Sequence, residues 1–393
     1  MTPNLRFQEF QDDFNSDKLG QLITSFSGGT PSASNKAYYD GDIPFIKSGE
    51  INDAKTEQFI NEIALANSSA KIVNKGDLLL ALYGATSGEI AISKLEGAIN
   101  QAVLCIRSER LNLEYLKFWF ELNKEKILGK YLQGGQGNLS ASIVKSLIIR
   151  YPSLDEQLKT AVTLKSVDQK INLLTKKKEA LETYKKGLMQ KIFSQELRFR
   201  REDGTGYTSW KESSLKSCLR EITVPMRDKP KEFGGSTDWC RIEDIKCGYI
   251  NGSRAGLKVS DNCIADMNLK VLPVGSVIVS CSAYLGICAR VTKPLITNQT
   301  FIGLFPGSEI TTEFLYYTMS SKERELNRLA SGTTISYLSR REFEDLTVKL
   351  PGIDEQNKIT GLLNSADVKL ELVESQIKKT LNLKKGILQQ MFV

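Results

Sequence analysis

The sequence has 393 residues, 41% hydrophobic and 25% charged, which describes a folded chain long enough for two or three domains and excludes wholesale disorder. It contains no histidine, which excludes Ser-His-Asp and Cys-His nucleophile systems and His-ligated zinc; its seven cysteines stand singly with no C-x-x-C pair, as inert thiols of a reducing compartment do. A net charge of +7 permits a polyanionic partner without requiring one.

In chain order, residues 1–7 carry no apolar stretch of signal-peptide length. The longest purely aliphatic run, residues 78–82, is far too short for a membrane span, so a cytoplasmic protein with no membrane partner is expected. Residues 1–150 mix β-branched runs (Ile46, 71–73, 90–92 and 103–106) with Gly/Ser-rich turns, which are strand signals. Residues 113–128 place Tyr115, Leu116, Trp119, Leu122 and Ile127 at helical spacing, so this globular part reads as α+β, with that helix packed on the core. Gly134-Gly135-Gln136-Gly137 lacks the strand-turn-helix setting of a dinucleotide fingerprint and reads as a loop, and no P-loop occurs.

After Pro152 the pattern changes. Pro followed by Asp155-Glu156 suits a helix start, where acidic groups meet the positive end of the dipole. A 4,3 spacing then gives Val167, Ile171, Leu174, Lys178, Leu181, Lys185, Leu188 and Ile192, a coiled-coil stripe on a long helix within residues 151–196. At ~1.5 Å per residue this helix approaches 60 Å.

From residue 197 the chain repeats itself. Leu5-Arg6-Phe7 returns as Leu197-Arg198-Phe199, Asn100-Gln101 as Asn298-Gln299, and Glu114-Tyr115-Leu116 as Glu313-Phe314-Leu315. Tyr151-Pro152-Ser153-Leu154-Asp155-Glu156-Gln157 returns as Leu350-Pro351-Gly352-Ile353-Asp354-Glu355-Gln356, and 15 of the 42 positions from 152 to 193 are identical at an offset of 199. Residues 197–350 therefore form a second globular part. Residues 351–393 form a second long helix, with the stripe Ala366, Leu370, Val373, Ile377, Thr380, Lys384, Ile387 and Met391. The two stripes are expected to pair antiparallel; the alternative is that each packs on its own globular part.

Catalytic motifs are missing. No Asn-Pro-Pro-aromatic tetrapeptide of adenine methyltransferases occurs, and Glu344-Asp345 with Lys349, or Glu355 with Lys358, make a nuclease-like pattern only by force. By elimination the chain reads as a binding protein.

Two variable globular regions, each followed by Pro-x-[Leu/Ile]-Asp-Glu-Gln, a long helix and Lys-Lys-Gly-x-x-Gln-x-x-Phe, resemble the specificity subunit of type I restriction-modification systems along essentially the whole chain. The resemblance implies two similar α/β target-recognition domains separated by two antiparallel coiled-coil helices, with an internal pseudo-two-fold repeat. Each domain would read one half of a bipartite, asymmetric site on double-stranded DNA. The helices would set the spacer and dock two methyltransferase subunits, with restriction/translocase subunits joining them. S-adenosylmethionine, ATP and magnesium would belong to those partners and none to this chain. The competing reading is a coiled-coil scaffold that does not read DNA, favoured by the balance of 16 basic against 17 acidic residues in residues 1–150.

If DNA is the partner, base edges are read by polar side chains on a rigid frame, Arg on guanine and Asn or Gln on adenine. The repeated features nearest that role are Tyr83, Thr86, Ser87, Ser282 and Tyr284 after the buried strands, and the pairs Asn100-Gln101 and Asn298-Gln299. The polar loops at Gln133, Gln136, Asn138, Thr333, Thr334 and Ser336 complete the set. Lys47, Arg241, Arg254, Lys258 and Arg290 are candidate phosphate or base contacts.

Overall fold

The computed structural model describes residues 3–132, 138–225, 229–230, 232–282, 284–330 and 338–392, with backbone alone at 131 and 132. It divides into two units, Met1–Thr175 with Gln376–Val393, and Lys176–Ser375. Each unit therefore takes one globular part and a piece of both long helices.

The first globular part runs β1 (Asn15–Lys18), β2 (Thr24–Ser27), β3 (Ile43–Ile46), β4 (Phe59–Ile60), α1 (Glu62–Ala66), β5 (Lys71–Val73), β6 (Leu78–Ala81), β7 (Ile90–Ile92), β8 (Gly97–Ile99), β9 (Val103–Arg107), α2 (Leu113–Leu132), α3 (Ala141–Ser146) and β10 (Ile148–Tyr151). It leads into α4 (Leu154–Phe193). One sheet has the order β2-β9-β6-β7, a second β4-β3-β8-β5, and β1 pairs with β10. The run Leu78-Leu79-Leu80-Ala81 is apolar throughout because β6 is covered on both faces. Leu78 and Leu80 join Tyr115, Leu116 and Phe118 of α2, whereas Leu79 and Ala81 join Ile46, Val73, Ile99 and Cys105.

The second globular part runs β11 (Lys211–Ser214), α5 (Leu215–Cys218), β12 (Leu219–Thr223), β13 (Thr237–Cys240), β14 (Tyr249–Ile250), β15 (Lys258–Val259), α6 (Asp261–Asp266), β16 (Val277–Ser280), β17 (Cys288–Val291), β18 (Leu295–Thr297), β19 (Phe301–Pro306), α7 (Thr312–Ser321), α8 (Glu323–Ala330), α9 (Arg340–Glu344) and β20 (Thr347–Leu350). The chain then enters α10 (Ile353–Met391). Its sheets have the orders β12-β19-β16-β17-β14 and β15-β13-β18, and β11 pairs with β20. Here β16 takes the place of β6: Val277 and Val279 face Phe314 and Leu315 of α7, and Ile278 faces Cys240, Ile250 and Ala289.

The Asp-Glu-Gln motif at the two helix starts is structural. Gln157 donates to the Pro152 carbonyl (3.0 Å) and accepts from the Asn112 amide (2.8 Å). Gln356 does the same with Pro351 (3.0 Å) and Thr311 (2.9 Å). Glu156 is bound by Arg6, and Glu355 by Arg198. Glu355, buried in this pair, is unavailable for the nuclease-like pattern with Lys358.

Every position of the two stripes is buried or half-buried. In the second unit Lys178 Nζ lies 2.7 Å from Glu374 and Lys185 pairs with Asp367, so numbers rise along α4 as they fall along α10; the segments run antiparallel. In the first unit Lys384 Nζ reaches Asp168 at 2.7 Å in the same register. The stripes are not used for helix pairing alone. Leu188 and Ile192, the last seats of the α4 stripe, pack into the core of the second globular part, and Met391, the last seat of the α10 stripe, packs with Leu388 and Phe392 into the core of the first. Each rod thus ends as a core element of the unit its last turns belong to. The reason is apolar area: a single helix face and a small sheet each leave one side uncovered, and docking covers both.

Candidate nucleic-acid interface

In both units the polar segments gather where the central strand ends. In the first, the Leu82 amide donates to Ala102 (2.8 Å) and its carbonyl accepts from Leu139 (2.9 Å). These bonds hold the Tyr83–Ser87 loop, the Asn100–Gln101 turn and the segment beginning at Asn138 side by side. In the second, Cys281 donates to Thr300 (2.8 Å) and accepts from Leu338 (2.8 Å), bringing together the loop of Ser282 and Tyr284 and the Asn298–Gln299 turn. Gln133, Gln136, Thr333, Thr334 and Ser336 lie outside the described residues.

A second convergence adds basic residues. β3 pairs parallel with β8, Ile46 opposite Ile99, so Lys47 and Asn100 leave the sheet at the same end. β13 pairs parallel with β18, Cys240 opposite Thr297, and the Asn298 amide donates to Cys240 (3.3 Å), which sets Arg241 beside Asn298. A buried or half-buried acid three residues on orders each stretch. Glu50 accepts from the amides of Lys47 (3.1 Å) and Glu57 (2.9 Å). Asp244 accepts from those of Arg241 (2.7 Å) and Arg254 (2.7 Å), so Arg254 joins Arg241.

The side chains within the clusters divide by role. Asn100 accepts from the Ala102 amide (3.1 Å) and Asn298 from the Thr300 hydroxyl (2.6 Å), so both shape their turns. Gln101 and Gln299 are the exposed members of the pairs. Ser87 is buried and donates to the Leu82 carbonyl (3.1 Å), closing the loop, while Thr86 is half-buried. Tyr83 is 36% exposed and Tyr284 70%. Arg241 stacks 5.0 Å from the Trp239 ring centroid, and Arg254 donates to the Glu243 carbonyl at 3.1 Å. Lys258 is exposed on β15 opposite Asp238.

Arg290 departs from the expectation of a surface contact. It is 2% exposed, because β17 directs it between the rings of Tyr249 and Tyr316, where a phosphate does not reach it. Sequence reading missed Glu50, Asp244 and Thr30, whose hydroxyl donates to Gln101 at 2.7 Å. The signal for the acids was present as a basic residue followed three positions on by Glu or Asp, a turn-closing spacing. For Thr30 the signal was Gly28-Gly29. A Cβ at Gly28 would stand 1.8 Å from the Ile99 carbonyl oxygen, so only glycine lets this segment approach the end of β8.

The clusters offer amide, hydroxyl, aromatic and cationic groups on short, hydrogen-bonded turns, which suits recognition. Burial pushes Cys240 up to about 12 and Cys281 to about 11, so neither thiol beside the clusters is a nucleophile at neutral pH. Among the described residues no three or more His, Cys, Asp or Glu side chains gather as a metal site.

The sequence profile of the type I restriction modification DNA specificity domain matches residues 11–183 and again 209–383. The type I restriction enzyme MjaVIII specificity subunit of Methanocaldococcus jannaschii is 25% identical over 397 residues, covering 95% of this chain and 92% of that protein. The crystal structure of the type I restriction-modification S subunit from M. genitalium superposes with a TM-score of 0.64 at 16% identity, over 100% of this chain and 99% of the other. A chain from a structural study of complex assembly and conformational transition in the type I R-M system matches with a TM-score of 0.61 at 15% identity, over 98% of both chains. At these identities the two structures speak for the fold.

Proposed function

The chain belongs to the type I restriction-modification DNA specificity family, with a specificity domain in each half, and from that premise we propose that each unit reads one half of a bipartite DNA site through the loop cluster at the end of its central strand. The chain is the DNA specificity subunit of such a system and is non-catalytic. The observation that carries the proposal is the repeated convergence: the loops joined at Leu82, Ala102 and Leu139 recur at Cys281, Thr300 and Leu338 with different side chains, which is what two readers of different half-sites require.

In this reading Gln101, Tyr83 and Asn138 contact one half-site, and Gln299, Tyr284 and Ser282 the other. Lys47, Arg241 and Arg254 supply phosphate contacts beside them, with Lys258 at the flank. The partners are double-stranded DNA, two methyltransferase subunits and restriction/translocase subunits. S-adenosylmethionine, ATP and magnesium are bound by those subunits, and the methyltransferase flips its adenine out of the duplex while this chain holds the register. The helices α4 and α10, shared by both units, set the spacer; half-sites one helical turn apart are ~34 Å from one another, within the length of such rods. The place of action is the cytoplasm, and among the described residues no helix is long and apolar enough to cross a membrane.

Methylome sequencing of cells carrying this chain with its methyltransferase tests the reading. A split methylated motif is expected, with Gln101→Ala relaxing one half and Gln299→Ala the other. A contiguous motif, or both variants acting on the same half, overturns it. A salt series separates the scaffold reading, because DNA-dependent binding weakens steeply with salt and an apolar helix interface does not.

A further inference from the structure

Where the sheet of the second unit meets the long helices, polar side chains lie between them, Arg290 and Tyr317 buried and Asn364, Asp367 and Lys185 half-buried. Arg290, in the centre of this seam, lies 4.0 Å from the ring centroids of both Tyr249 on β14 and Tyr316 on α7. Its Nη1 donates to Asn364 Oδ1 on α10 (3.1 Å), and its backbone amide donates to the Gly248 carbonyl (2.9 Å). Tyr317, fully buried, donates to Asp367 Oδ2 (2.6 Å) and has its hydroxyl 2.7 Å from Asn364 Oδ1. Lys185 of α4 closes the chain of contacts on Asp367.

The backbone is shaped to admit this arrangement. Cys247 and Gly248 sit at φ +51 and +74, within a tight turn closed by Lys246 and Tyr249. A Cβ on Gly248 would stand 2.3 Å from the Tyr316 hydroxyl. Burial raises the Cys247 thiol, and the Glu371 carboxylate of α10 adds to the rise. Asn364, Asp367 and Glu371 are spaced by three and four, so they form one face of that helix.

The first unit uses other chemistry at the matching places. By strand register Ile92 stands where Arg290 does, and by the repeat Phe118 stands for Tyr317 and Lys165 for Asn364. The helix carboxylate and the stripe lysine are kept, as Asp168 and Lys384, but their globular partners are Glu121 and Lys117. The shared pair holds the rods, and the differing part keys each globular core to its helix face. A guanidinium between two rings and one amide tolerates little rotation, because planar stacking and a directed hydrogen bond are both lost when the sheet turns on the helix.

We propose that Arg290 is a positioning residue that fixes the angle of the second recognition sheet on α10 and so restricts which half-site spacing the assembled complex accepts. This rests on the bipartite reading proposed above. One base pair of spacer rotates a half-site by about a tenth of a turn, so a loosened seam widens the set of spacers within reach.

The test uses the full chain assembled with its methyltransferase subunits and a panel of duplexes carrying both half-sites with the spacer varied one base pair at a time. Wild type is expected to methylate one spacer strongly; a wild-type complex with no spacer preference refutes the bipartite reading itself. In Arg290→Met, which keeps bulk and removes the directed bonds, the rate ratio between the best spacer and its one-base-pair neighbours is expected to fall by about fivefold, the low end for coupled sites, with half-site base preference unchanged. Should that variant fail to assemble, Tyr317→Phe, which deletes only the hydroxyl ties to Asn364 and Asp367, is expected to shift the ratio in the same direction to a smaller extent. A spacer profile as narrow as wild type in the variants, with only a lower Tm, overturns the proposal, as does a change in base preference.

Discussion

The carboxylate of Glu156 at the start of α4 is gripped by Arg6 through two bonds of 2.8 Å, although 150 positions separate the residues. The repeat reproduces the clasp as Arg198 on Glu355, where Trp210 Nε1 adds a bond of 3.1 Å. Both acids are buried, so removing one leaves a guanidinium without its counter-charge. Glu156→Ala is expected to cost about 3 kcal/mol of stability, and Glu355→Ala a similar amount, in urea unfolding of the purified chain. A loss below about 0.5 kcal/mol, the size typical of a surface pair, would show that the clasp is incidental.

The end of the chain completes the first core. Phe392 is 7% exposed and its ring lies 4.7 Å from that of Tyr115. Phe392→Ala is expected to destabilise by about 3 kcal/mol. Hydrogen exchange locates the effect: faster exchange is expected in β6 and α2 of the first unit, with β16 and α7 of the second unchanged. Uniform loss of protection across both units would contradict the division of the chain.

Acid should attack the first seam. Burial alone would raise the Glu121 carboxyl, but Lys117 and Lys384 outweigh it and hold the group below its ordinary 4.5. A carboxylate depressed in the folded state contributes stability above its unfolded value, and that contribution disappears as pH falls through the folded one. Tm is therefore expected to drop on acidification below about pH 4.5, and Glu121→Gln should flatten that part of the profile while lowering Tm at neutral pH. An unchanged slope in the variant would remove Glu121 from the account.

The thiols should be quiet. Burial pushes Cys105, Cys240 and Cys288 up to about 12. Cys247 and Cys263 are the partly exposed cysteines. Iodoacetamide on the native chain at neutral pH is expected to mark Cys263 and, more slowly, Cys247, and to reach the others only after unfolding. Early labelling of Cys105 or Cys288, read by peptide mass, would mean that the central sheets open locally.

Phosphate and base contacts should separate in binding curves of the assembled complex. Arg241→Ala is expected to weaken binding to all sequences and to lower the slope of log affinity against log salt by about 0.9, one phosphate's share. Gln299→Ala should leave the slope alone and lose about 1–3 kcal/mol of discrimination at one base pair. The reverse pattern would exchange the two roles.

The repeat, the strand-rich globular parts, the two long helices and their stripes were all legible in the sequence, because each is written locally. Periodicity, a proline and a cap specify a helix wherever they occur, and duplication leaves matching motifs such as Pro-x-x-Asp-Glu-Gln at constant offset. Contacts between distant positions were not legible. Arg290 has the composition of a DNA contact and the location of a core strut, since only strand register decided that it points between Tyr249 and Tyr316. The same holds for Met391, the last seat of the α10 stripe, which the 4,3 spacing assigns to a coiled coil but which packs with Leu388 and Phe392 into the first globular core.

At the candidate interface, the residue types that recur after the buried strands and in the Asn-Gln turns follow from the order of amino acids alone. The folded sheets bring these turns together, give Asn100 and Asn298 one accepted hydrogen bond each within them, and set Lys47 and Arg241 alongside. The physical reason is that a short-range pattern fixes the conformation of a segment, whereas its neighbours are chosen by sheet pairing and by the apolar area that the whole unit must remove from water.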